Sequence, residues 1–120
     1  MKKQLLNLNS HDAYTALGYA AGRFKVTVES SQVHTRLATF RQNCGRFKTE
    51  TPVGIWFMRA HNDENKPMLL ILAVGDELLN AVAVSPEEVE LTRATEIRLN
   101  NEYYTLQKDG DIISYALKEA

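Results

Sequence analysis

Three short clusters in this chain carry residue types able to do chemistry. Ser10, His11 and Asp12 are the residue types of a hydrolytic triad, but such triads are assembled from separated positions, and three consecutive side chains cannot line up as nucleophile, base and orienting acid. The same three residues read as a helix start, with Ser10 as N-cap and Asp12 at the positive end of the macrodipole. Cys44 with His34 or His61 is the second cluster, since a cysteine nucleophile needs a nearby imidazole or positive charge. Cys44 also completes an apolar run at helical spacing, where a thiol packs rather than reacts. The third is acidic. Glu87 and Glu88 fall in the first turn of a helix and stabilise it there, and Glu90 follows.

Metal chemistry finds no better footing. His11, His34 and His61 share no metal-ligand spacing, and one cysteine cannot build a zinc cage. "HNDEN" at 61–65 and "DGD" at 109–111 gather oxygens without the alternation of a calcium loop, and both read as hairpin turns. The sequence therefore nominates no catalytic residue, no metal ligand and no cofactor.

Cations are more suggestive. Gly-Arg-Phe-Lys occurs at 22–25 and again at 45–48, each time after an apolar helical stripe. Each copy reads as a helix end, in which glycine takes the left-handed conformation and the cations meet the negative end of the dipole. A repeat array is excluded, because little else aligns at this shift and there is no third copy. If the two ends lie side by side, Arg23, Lys25, Arg36, Arg41, Arg46 and Lys48 form one cationic patch interleaved with Phe24 and Phe47, suited to phosphates and stacked bases. No phosphate loop, zinc-finger spacing or RNA-recognition signature accompanies it.

The whole-chain balance sharpens this. A net charge of −1 hides an uneven split: residues 1–48 hold eight Lys and Arg against two acids, a balance of +6, while residues 49–120 come to −7. Such a division holds two halves together or offers opposite faces to partners. The 120 residues, 44% apolar and 24% charged, are the size and composition of one folded domain, 1–120. A single cysteine fits a reducing compartment. Met68–Val74 is too short an apolar run to cross a bilayer as a helix, and Asn7 and Asn9 break the start of the chain before a secretory run forms. Cytoplasm is the expected setting, without a membrane.

The elements that must position these residues follow from periodicity. Tyr14, Leu17 and Ala21 mark a first helix ending at Gly22; Val33, Leu37, Phe40 and Cys44 mark a second, opened by Ser30 or Ser31 and ended by Gly45. Val26–Val28 is a short strand or connector. "VGIWFMR" and "MLLILAV" form a wide hairpin, the second run apolar at every position as in a central strand covered on both faces. "LLNAVAV" fits strand or helix, and β-branching favours strand. Ser85-Pro86-Glu87-Glu88 opens a helix of about two turns by a capping box. A three-strand meander closes the chain, with a C-terminal helix from Asp111 as the alternative. The expected fold is thus α+β: two N-terminal helices packed on a mainly antiparallel sheet of five or six strands with one short inserted helix. The function expected first is a small non-catalytic binding protein (adaptor, inhibitor or subunit of a larger assembly) with a protein partner. Nucleic-acid binding by the basic half comes second, and an enzyme with a pocket between helices and sheet third. Tyr103, Tyr104 and Tyr115 in the terminal hairpins add the expectation of a homodimer through an open sheet edge.

Overall fold

A strand and a helix open the chain in the computed structural model, which describes residues 4–29, 32–43, 56–75, 78–92, 95–99, 102–109 and 112–117. Leu6 and Leu8 alternate with Asn7 and Asn9 along β1 (Gln4–Asn9), which runs directly into α1 (Ser10–Phe24). Asn9, not Ser10, caps this helix: its Oδ1 accepts the Asp12 N–H at 2.8 Å. The inward stripe is Ala13, Leu17, Ala20 and Ala21, whereas Tyr14 is 39% exposed. Three alanines in that stripe let the helix axis approach what it covers.

At its other end α1 passes through Gly22 without stopping. Lys25 takes the left-handed conformation at φ 59°, donating to Gly22 O at 3.3 Å while Val26 N–H reaches Ala21 O at 3.0 Å. These two bonds are a Schellman closure built on lysine where the sequence suggested glycine.

The second expected helix is absent. Residues 34–40 form β3 (His34–Thr35) and β4 (Leu37–Phe40), after the short β2 (Thr27–Val28). Leu37 and Phe40 are helix-spaced, but each is also buried in a strand whose two sides meet different cores: Leu37 joins one cluster, Ala38 and Phe40 the other. Thr35 and Thr39 are β-branched and favour this extended form. Its partner lies far along the chain, in β8 (Val89–Thr92), with Leu37 opposite Thr92 and Phe40 opposite Val89.

Between them runs the wide hairpin of β5 (Trp56–His61) and β6 (Pro67–Gly75), followed by β7 (Leu78–Val84) as a strand. Asn62 shapes the hairpin turn, its Oδ1 accepting the N–H groups of Glu64 at 2.9 Å and Lys66 at 3.0 Å. Ser85 does open a turn, and its N–H donates to Glu88 Oε2 at 2.9 Å, but Pro86–Glu88 is a single 3-10 turn rather than a two-turn helix. Chain then enters β8, drawn out by its pairing with β4. The meander of β9 (Glu96–Leu99), β10 (Glu102–Asp109) and β11 (Ile112–Leu117) closes the fold, so residues 112–117 are strand, not helix.

The strands make three antiparallel sheets: β1-β11-β10-β9; β2-β5-β6-β7, with β3 also on β5; and the β4–β8 ribbon. One α-helix, one 3-10 turn and eleven strands thus replace, among the described residues, the two helices on a single sheet of five or six strands. The middle sheet is the platform. Trp56, Met58, Leu70 and Leu72 face α1 and the meander, with Ile97 and Tyr104 closing that core; Phe57, Leu69, Ile71 and Val84 face the ribbon. Because both faces are covered, Trp56, Phe57 and Met58 are all buried. The Trp56 Nε1–H finds no hydrogen-bond acceptor among the described residues.

Two substitutions test the helix end. Gly22 is helical, and a Cβ built on it meets nothing within 4 Å, so Gly22→Ala should stabilise by about 0.5–1 kcal/mol. Lys25→Gly should stabilise by up to about 1 kcal/mol by relieving the left-handed lysine. Urea unfolding measures both; a loss of stability in Gly22→Ala would put the cap at Gly22 instead.

Candidate functional site

The nominated cations do not share one surroundings. Arg23 lies in the last turn of α1, its guanidinium carbon 4.9 Å from the centroid of the Phe24 ring and its Nη2 3.5 Å from Ala81 O on β7. Lys25 is the exposed C-cap residue just beyond. Arg36 is exposed between β3 and β4. Arg41 is exposed after β4, where its N–H donates to Glu88 O at 2.9 Å, on the ribbon that covers the platform face opposite α1. Arg23 and Phe24 are brought together; Arg23 and Arg41 belong to layers on either side of the sheet. Arg46, Phe47 and Lys48 lie outside the described residues, and so does Cys44.

Chemistry is equally dispersed. His34 lies against Phe57 with ring centroids 5.2 Å apart, and His11 gives its carbonyl to the Thr15 hydroxyl at 3.0 Å. Among the described residues no three His, Cys, Asp or Glu side chains gather where a metal could be held. Nor is any helix there long and apolar enough to cross a membrane. Burial of the Tyr104 ring raises its phenol above the ordinary tyrosine pKa of 10.0, helped by the hydrogen bond to Glu102 Oε2 at 3.2 Å and by that carboxylate's charge. A phenol held protonated in this way is a poor general base near neutral pH.

Two depressions lined by described residues stand out. One, about 560 Å³, is lined by Phe57, Arg59 and Leu69 of the platform hairpin, Val89 and Leu91 of the ribbon, and Glu29. The other, about 610 Å³, runs between α1 and β7: Ala16, Tyr19, Ala20 and Arg23 form one wall, Asn80 and Ala81 the other, and Leu72 the floor. Tyr19 stands beside it 86% exposed, the most exposed large hydrophobic residue among the described residues. The positions at 13, 17, 20 and 21 point into the core, so 19 must point away.

The strand edge along this groove sets it apart. Unpaired edges recruit other strands unless blunted by charge, proline, bulges or brevity. β1 carries a register break between Gln4 and Leu6, β9 carries Glu96 and Arg98, and β2 and β3 have two residues each. β7 has seven residues, "LLNAVAV", with no charge, no proline and unbroken pairing to β6 on one side only. Its other side is unpaired among the described residues. That uncharged run was visible in the sequence; that it forms an edge was not. Comparison of the chain with family models, curated proteins and solved structures returns no match.

The phenol of Tyr104 offers a check on the geometry. Its raised folded pKa contributes stability that is complete below about pH 10, the unfolded value, and is lost as pH climbs through the folded one. In Glu102→Gln, ultraviolet titration at the tyrosinate band should find Tyr104 ionising at lower pH, and the loss of stability above about pH 10 should be smaller than in wild type. Unchanged titration would show that the Glu102 contact is not made.

Proposed function

We propose that this protein is a small non-catalytic binding module that takes an extended segment of a protein partner onto β7, alongside α1. A single observation carries the reading: a seven-residue edge strand without charge, proline or bulge borders a groove with a fully presented tyrosine on its rim. Strand addition draws affinity from main-chain hydrogen bonds, because alternate residues of an edge direct N–H and C=O away from the sheet. Tyr19 supplies a rigid aromatic anchor of the kind that dominates binding energy. Adaptor, inhibitor and assembly subunit are all roles such a module fills. A reducing, cytoplasmic setting belongs to the proposal, supported by the single cysteine.

Nucleic-acid binding is supported less well. Arg23 lies beside Phe24 and β7, and Arg41 sits in the opposite layer, whereas phosphate tracking needs cations along one groove.

Panning immobilised protein against displayed random dodecapeptides tests the reading. Enriched peptides should lose affinity about tenfold when alternate backbone nitrogens are methylated, since each methyl removes a donor from the new ladder. Tyr19→Ala should weaken them about five- to thirtyfold while leaving thermal stability nearly unchanged, Tyr19 being exposed. Failure to enrich any peptide, or indifference to methylation, would remove strand addition from consideration.

A further inference from the structure

An unguarded edge must still be kept from pairing with its own kind. We infer that Arg23 is the gatekeeper of β7: it opposes self-pairing and selects a partner segment bearing an aspartate or glutamate beside Ala81. The inference rests on the strand-addition reading above.

Three observations converge on it. Ala81, which Arg23 touches, is the midpoint of Leu78–Val84, with three residues on each side. A two-fold axis through that midpoint, the geometry by which two copies of β7 would pair antiparallel in full register, brings the two Arg23 side chains to the same place. Like charges so juxtaposed disfavour the symmetric pair. Second, the bond to Ala81 O is long, 3.5 Å, and Arg23 is exposed, so the guanidinium is readily exchanged to a better acceptor. Third, among the described residues Arg23 is the one charged residue lining the groove and no carboxylate pairs with it. Stacking on Phe24 holds the guanidinium near the edge while leaving its donors free for a two-pronged carboxylate contact. Elsewhere the groove is walled by Ala16, Ala20 and Ala81, which suits an otherwise apolar or β-branched extended chain. The partner is therefore an extended acidic-apolar segment rather than a second copy of this chain.

Panning with random dodecapeptides should enrich clones with one recurrent Asp or Glu, and the same library on Arg23→Glu should enrich Lys or Arg at that place. For a wild-type-selected peptide, replacing the acid by its amide should weaken binding about fivefold, the upper range of an exposed ion pair. Arg23→Gln should do the same, without reversing a charge at the helix end. In sedimentation, wild type should remain monomeric at concentrations where Arg23→Ala forms dimers. Methylation-sensitive clones without acidic preference, or an Arg23→Glu selection identical to wild type, would overturn the gatekeeper while leaving strand addition intact. So would a monomeric Arg23→Ala, or a wild-type dimer pairing through β7. Clones indifferent to backbone methylation would bring down the underlying reading and this one together.

Discussion

The structure depends on β6 being buried on both faces at once. Leu69 through Ala73 are all buried, and in a strand consecutive residues point to opposite sides, so each side needs its own cover. One cover is α1 with the meander, the other the β4–β8 ribbon. Each buried leucine or isoleucine contributes about 1.5–3 kcal/mol only when its side is closed. The alternation then propagates sideways through register: Trp56, Leu72 and Ala81 form a row under the helix, and Phe57, Ile71 and Val82 a row under the ribbon. The alanines of α1 and the small side chains of β7 answer to the same demand, close approach over a strand that has no free surface.

Local signals were legible where the chain acts locally. Uninterrupted apolarity identified the central strand, the Asn-rich turn identified the hairpin, and paired turn residues identified the meander. The ribbon was not legible. Leu37 and Phe40 satisfy a helix period, and what decides for the strand is β8, about fifty residues on, where Leu37 lies opposite Thr92. The capping box at Ser85 was read correctly as chemistry and wrongly as length, because pairing with β4 takes over at Val89. Gly22 looked like a helix terminator by residue type, yet the two closing bonds form around Lys25.

The site was harder still. Helix spacing alone turns Tyr19 away from the stripe of Tyr14, Leu17 and Ala21, but nothing in the sequence sets it beside a groove and a strand edge. An edge strand is a property of topology, and nothing in "LLNAVAV" says which of its sides is left without a neighbour. Arg23 was found in the sequence for its charge, but the company it keeps is a ring and a strand carbonyl instead of other cations.

The pairing of β1 with β11 sets Leu8 opposite Ile113 and Asn7 opposite Ser114. More than a hundred residues separate these strands along the chain, so the first is synthesised long before its neighbour exists. Closing so large a loop is an entropic cost met late in folding, and non-local contacts of this kind slow the search for the native state. During translation residues 4–9 have no β11 to pair with until residues 112–117 have been made.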